Sequence, residues 1–109
     1  MKNYNPGDIV LLSFPFVDGT GVKRRPAMVL LDTEDDDIIV SRVTSNLFQS
    51  RFDVNIIEWQ QAGLLLPSVV RLHKVATLEK NLVEKKLGSV VGSDWEIVRS
   101  TIQRLWVYI

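Results

Sequence analysis

The chain contains no cysteine and one histidine, which excludes disulfides and thiolate metal sites and argues against a zinc site. No apolar run is long enough to cross a bilayer, and residues 1–6 lack the apolar stretch of a signal peptide. The 13 basic and 13 acidic residues leave no net charge, whereas a protein that coats duplex DNA is usually basic. We therefore expect one cytoplasmic domain over residues 1–109, in which any contact with nucleic acid depends on a local cationic patch.

The apolar residues alternate over short segments, which predicts a mainly β domain. Strands are expected at 9–14, 27–31, 38–44, 52–57, 68–75 and 87–91, with one helical turn at 58–62. The segment 77–86 fits either a short helix or a turn. Ser93 and Glu96 have the spacing of a capping box, and an apolar stripe at intervals of three and four follows, so a C-terminal helix is expected. Together these elements predict a small β-barrel with one C-terminal helix and one or two short helical turns.

Three consecutive cations, Lys23, Arg24 and Arg25, stand directly before Pro26 and a short apolar strand. We expect residues 15–24 to form a loop and Pro26 to be the first residue of the strand, where its missing N–H does no harm. The proline also favours an extended conformation at Arg25. The guanidinium of Arg25 is thus expected at the mouth of a rigid strand, where it can bind an anion.

The order and spacing of several short motifs resemble the MazF/PemK (Kid-like) toxins of type II toxin–antitoxin systems. The resemblance covers most of the chain and rests on residues 7–10, 25–30, 43–45, 62–64, 70–72 and 87–88. It implies an SH3-like β-barrel, a homodimer and a cognate antitoxin. It also implies an endoribonuclease that uses no metal or cofactor, cuts single-stranded RNA at short sequences, and leaves 2′,3′-cyclic phosphate and 5′-hydroxyl ends.

By position in these motifs, the resemblance implies that Arg25 and Thr44 are catalytic and that Arg71 is a second cation of the site. Arginine stays protonated and binds two phosphate oxygens at once, so we expect Arg25 to stabilise charge rather than to act as a base. Kid-like members carry an aspartate two residues after the later arginine, where this chain has His73. A histidine there is either a third catalytic residue, which supplies the missing base or acid, or only a packing residue.

Further side chains near these positions are candidates for binding RNA. Lys23 and Arg24 can contact phosphates, or can be solvated loop cations. Ser45 follows the candidate threonine. Phe16 and Phe48 are expected at loop edges, where they can stack on bases.

The cationic cluster suggests that the antitoxin covers Arg25 with a disordered acidic segment that folds on binding. Two other functions remain open. CcdB-like toxins share the fold expected here but poison DNA gyrase through an aromatic–aliphatic C-terminal end, and residues 106–109 are loosely similar to that end. An SH3-like binding module without catalysis is the third interpretation.

Overall fold

The computed structural model describes residues 3–15 and 19–109, which form one antiparallel sheet and a C-terminal helix. The strands are β1 (Asp8–Pro15), β2 (Val22–Asp32), β3 (Asp37–Thr44), β4 (Asp53–Ile56), β5 (Ser68–Glu79) and β6 (Val83–Ser89). A 3₁₀ turn (Lys80–Leu82) links β5 to β6, and helix α1 spans Gly92–Val107. The strand order in the sheet is β4-β5-β3-β2-β1-β6. The predicted mainly β fold with a C-terminal helix is confirmed.

Strand β2 starts earlier than the sequence predicts. It begins at Val22, so the cations at positions 23–25 belong to the strand and Pro26 is not its first residue. The expected loop over 15–24 was therefore wrong at its two ends, since Pro15 belongs to β1 and residues 22–24 belong to β2. Residues 22–26 pair with β1, while the pairing of β2 with β3 starts only at Ala27, opposite Arg42. The proline thus lies one residue outside the β2–β3 ladder, which explains how a strand can hold a residue without an N–H.

The sheet has an apolar core on each of its faces. One core includes Ile9 and Met28 and is covered by Val98 of α1. The other includes Val10, Val29 and Val40. Both faces of β1 are apolar for this reason, as the sequence predicts.

A contact between two glycines brings the two ends of the sheet together. Gly63 lies between β4 and β5 and has φ +88°, while Gly88 lies in β6. A Cβ added at Gly63 would lie 2.5 Å from the carbonyl carbon of Leu87, and one added at Gly88 would lie 2.5 Å from the carbonyl carbon of Ala62. Two backbones can approach this closely only because neither residue has a side chain.

The C-terminal half differs from the prediction in two places and agrees with it in a third. The ambiguous segment 77–86 is the end of β5, the 3₁₀ turn and the start of β6, so the last strand begins at Val83. The turn expected at 58–62 carries hydrogen bonds such as that from the Ala62 N–H to the Glu58 carbonyl. The expected capping box was wrong, because Val91 is the N-cap and no side chain caps the helix. Asp94 instead accepts a hydrogen bond from the Glu58 N–H at 2.9 Å, which ties the helix to the loop before β5. Among the described residues, no helix is long and apolar enough to cross a membrane.

Candidate active site

A cavity of about 490 Å³ lies where the β2–β3 ladder ends, and it contains three of the predicted site residues: Arg25, Thr44 and Ser45. We refer to it as the Arg25 cavity. Its remaining lining residues are Leu11, Pro26, Arg42, Val43, Gly63, Leu64, Leu65, Leu66, Ser68, Lys85 and Leu87. Arg25 of β2 and Thr44 of β3 therefore line one shared cavity.

Thr44 ends β3, and the hydrogen bonds of its hydroxyl are set by the turn that follows. Its Oγ1 accepts a hydrogen bond from the Asn46 N–H at 3.1 Å. Because a hydroxyl has one donor besides its lone pairs, the hydrogen of Thr44 is left to donate to another acceptor. A phosphate oxygen in the cavity would be such an acceptor.

The charge around the Arg25 cavity is of one sign. Its lining includes Arg25, Arg42 and Lys85 and, within the part of the chain that the structure describes, no aspartate or glutamate. None of these three cations forms an ion pair with a described carboxylate. In a protein without net charge, such a group of unpaired cations provides a local site for a polyanion.

A second cavity of about 440 Å³ adjoins the first and shares Arg25, Pro26 and Arg42 with it. We call it the Lys74 cavity. It lies on the opposite face of the sheet, since its apolar lining comes from the core that contains Ala27 and Val40. Its lining residues are Leu12, Phe14, Lys23, Arg25, Pro26, Ala27, Val40, Arg42, Lys74, Ala76 and Leu78.

Arg71 belongs to a separate cluster beside the Arg25 cavity. Its Nε donates to Oδ1 of Asp53 at 2.9 Å, and its Cζ lies 3.7 Å from the centroid of the Phe48 ring. Burial raises the pKa of the Asp53 carboxyl, but hydrogen bonds from Ser50 and Arg71 outweigh burial and hold that pKa below its usual value. Arg71 is paired across the β3–β5 ladder with Arg42, so the cluster flanks the cavity without lining it.

His73 is placed by the same cluster. Its Nε2 lies 3.3 Å from Nη2 of Arg71, and its buried Nδ1 has no hydrogen-bond partner among the described residues. A guanidinium only donates, so Nε2 must accept and the proton of the neutral ring belongs on Nδ1. In this geometry the ring orients Arg71, and the catalytic role of His73 stays a prediction.

Three predicted RNA-binding residues, Arg24, Arg71 and Phe48, line neither cavity. Arg24 donates from Nε to Oε2 of Glu84 at 2.7 Å and lines neither cavity. By alternation along β2, Arg24 lies on the face opposite to Lys23 and Arg25, where its side chain is held by Glu84. This ion pair raises the pKa of Arg24 and lowers that of Glu84. Phe16 lies outside the described residues.

Sequence analysis missed Arg42, Lys85 and Lys74 as site residues. Arg42 stands two residues before Thr44, so the alternation of side chains along a strand would have placed it on the same face. Lys74 belongs to β5 and lines the Lys74 cavity, while Lys85 belongs to β6 and lines the Arg25 cavity. Only the sheet topology brings these two lysines to the cavities. Among the described residues, no three histidine, aspartate or glutamate side chains form a potential metal site.

The fold agrees with a family comparison. The family model of the PemK-like, MazF-like toxins of type II toxin–antitoxin systems matches residues 5–106. The chain therefore belongs to the PemK-like, MazF-like toxin family. The comparison with curated proteins found no match.

Solved structures of similar fold come from the same class of proteins. MazE–MazF (Form-III) from Deinococcus radiodurans is 21% identical, with a TM-score of 0.75 over 94% of this chain and 95% of that chain. An endoribonuclease from a Mycobacterial species is 14% identical, with a TM-score of 0.73 over 95% and 91%. A Mycobacterial endoribonuclease in complex with its cognate antitoxin is 16% identical, with a TM-score of 0.69 over 94% and 93%. At these identities the likeness establishes the fold.

Proposed function

We propose that this toxin is an endoribonuclease that cleaves single-stranded RNA without a metal ion and leaves 2′,3′-cyclic phosphate and 5′-hydroxyl ends. The observation that carries the proposal is that one cavity is lined by both Arg25, which forms no ion pair with a described carboxylate, and Thr44, whose hydroxyl hydrogen has no acceptor among the described residues. The endoribonucleases among the structures of similar fold support the same class of activity.

The reaction requires alignment and charge stabilisation more than it requires a nucleophile from the protein. The 2′-hydroxyl of the RNA gives its proton to water as its oxygen bonds to the adjacent phosphorus, the P–O5′ bond breaks, and the leaving 5′-oxygen takes a proton from water, so no net proton is gained or lost. Arg25 holds two non-bridging phosphate oxygens and neutralises the charge that grows in the transition state. Thr44 donates to one of those oxygens and fixes the orientation of the phosphate. Arg42 and Lys85 add positive potential around the same phosphate.

The test is to incubate the purified protein with a mixed RNA in EDTA and to map the product ends. We expect cyclic-phosphate ends at a small set of sequences. Arg25→Ala should lower the cleavage rate about 10²–10³-fold, the usual effect of removing one transition-state donor. Arg99→Ala is the matched control, because Arg99 is an exposed arginine of α1 that lines neither cavity. Cleavage that persists unchanged in Arg25→Ala, or that needs a divalent metal, would contradict the proposal.

The same proposal includes a homodimer and an inhibitor in the cytoplasm. Leu65 and Leu66 are 91% and 58% exposed at the rim of the Arg25 cavity, an apolar surface that suits a second copy of the chain. The cations of the cavity suit an antitoxin with a disordered acidic segment, and two of the structures of similar fold are antitoxin complexes. Analytical ultracentrifugation tests the dimer. If RNA still reaches Arg25 when the antitoxin is bound, as measured by competition, the proposed mode of inhibition is wrong.

One observation favours a second candidate, a gyrase poison of the CcdB kind. The last four residues, from Trp106 to Ile109, are apolar and 66–86% exposed. A chain truncated after Leu105 separates the two functions. Loss of toxicity with RNA cleavage intact would favour gyrase, whereas toxicity that follows RNA cleavage favours the nuclease.

A further inference from the structure

The Lys74 cavity has the features of a nucleotide subsite, although neither the family match nor the sequence motifs assign it a ligand. Its lining combines the apolar residues Leu12, Ala76 and Leu78 with the exposed lysines Lys23 and Lys74. Within the described part of the chain it has no acidic lining residue, and neither lysine forms an ion pair. An apolar lining with exposed cations beside it matches a nucleoside that is attached to phosphates.

The two cavities meet at the residues proposed to hold the scissile phosphate. Arg25, Pro26 and Arg42 line both of them, at the point where β2 and β3 separate and where the faces of the sheet meet. A phosphate on Arg25 therefore has one cavity on each side. Each volume, about 490 Å³ and about 440 Å³, falls within the range that accommodates a small ligand.

We propose that the Lys74 cavity binds the nucleotide on one side of the scissile phosphate, with its base against the apolar wall and its outer phosphate on Lys23 and Lys74. The inference rests on the proposed nuclease function and adds a substrate subsite to it. The two nucleosides that flank the phosphate are then splayed onto opposite faces of the sheet. Two bases held on opposite faces cannot stack on each other as they do in a helix. The backbone between them is then free to place the 2′-hydroxyl in line with the leaving oxygen.

The test compares Lys74→Gln with Arg99→Gln, which removes one exposed charge outside both cavities. With a short RNA that the wild type cleaves, we expect Lys74→Gln to lower kcat/KM about 5- to 10-fold, as for one phosphate contact at an exposed site. The negative slope of log kcat/KM against log salt should become shallower by about 0.7, the value for one lost contact to a single strand. Arg99→Gln should change neither quantity.

Substrates with one neutral methylphosphonate, placed one phosphate before or after the scissile bond, identify the contact. At one of these two positions the neutral linkage should reduce cleavage by the wild type and have no further effect on Lys74→Gln. If Lys74→Gln behaves as Arg99→Gln does, or if its loss is the same on every substrate, the subsite is refuted while the nuclease function stands.

Two further results separate the nucleotide subsite from the nuclease function and from a protein-binding site. If the wild type cleaves no RNA but binds a 2′-deoxy-substituted oligonucleotide through Lys74, the nuclease function fails and the nucleotide subsite is supported. If Lys74→Gln leaves RNA cleavage unchanged and weakens binding of a labelled peptide of alternating glutamate and leucine, the cavity belongs to a protein partner and the proposal is overturned.

Discussion

The contact between Gly63 and Gly88 allows a quantitative prediction of stability. Adding a methyl group to a glycine can carry a conformational cost and a steric cost, and three glycines of this chain allow the two costs to be measured separately. Gly92 has φ +61° and nothing within 4 Å of an added Cβ, so Gly92→Ala incurs only the conformational cost. Gly88 has no positive φ but would place its Cβ 2.5 Å from the Ala62 carbonyl carbon, so Gly88→Ala incurs only the steric cost. Gly63, at φ +88°, incurs both.

The expected magnitudes follow from these geometries. A left-handed conformation costs an alanine about 1–2 kcal/mol, and forcing an extra carbon into a packed contact costs about 1–3 kcal/mol. Gly92→Ala should therefore reduce the free energy of unfolding by about 1–2 kcal/mol, Gly88→Ala by about 1–3 kcal/mol, and Gly63→Ala by about 2–5 kcal/mol as their sum.

Urea unfolding followed by tryptophan fluorescence measures these differences. With a slope of about 1.5 kcal/mol per molar urea, a loss of 3 kcal/mol lowers the midpoint by about 2 M. If the midpoint of Gly88→Ala equals that of the wild type, the two backbones are not in contact. If Gly63→Ala is no less stable than Gly92→Ala, the steric part of the argument is wrong. The contact matters for the site because Gly63 and Leu87 both line the Arg25 cavity.

Two further predictions concern titratable groups. A hydrogen bond from Lys80 lowers the pKa of Asp32 from 3.8 to about 2, so this interaction stabilises the fold above pH 4 and is lost as the pH falls from about 4 to about 2. Asp32→Asn should be less stable than the wild type at pH 7, and the difference between their urea midpoints should shrink across that window; a constant difference would contradict this. Because the His73 ring orients Arg71, His73→Asn should lower the rate of RNA cleavage by less than the 10²-fold or more that is typical of losing a general acid or base. The shape of the pH–rate profile between pH 5 and 8 should not change. Loss of one limb of that profile would instead assign His73 a proton-transfer role.

The sequence was sufficient to predict the fold class because its signals are local. Alternating apolar residues define strands such as β1 and β3 to within one residue at each end, and the apolar stripe defines α1. The start of β2 was missed because Lys23, Arg24 and Arg25 are not typical strand residues, and only their pairing with β1 keeps them extended. The last four residues of β5, 76–79, were missed for a similar reason, since Ala76 and Thr77 are exposed and give no two-sided apolar pattern.

The candidate site could be predicted in part. The motifs around Arg25 and Thr44 identified the two residues that share a cavity, but the distribution of charge around them depends on topology. Arg24 and Arg25 are neighbours in sequence, yet Arg24 is paired with Glu84 and Arg25 is free, because successive strand residues point to opposite faces. Arg71 is held by Asp53, a partner 18 positions away, which no local pattern reveals.

Pro26 connects the architecture of the sheet with the chemistry of the site. A proline cannot donate a ladder hydrogen bond, and the β2–β3 ladder begins one residue after it. If the ladder continued through this position, β3 would lie against Arg25 and the two cavities would not meet. Pro26 therefore marks the end of the β2–β3 pairing, next to two arginines, Arg25 and Arg42, that line both cavities at an open edge between the faces of the sheet. Replacing Pro26 by valine supplies the missing N–H, but it leaves the separation of β2 and β3 in place, because Thr44 and the turn at Asn46 direct the chain away from β2. On this argument the open edge depends on both strands, and so does the capacity of the edge to hold a phosphate between two nucleotides.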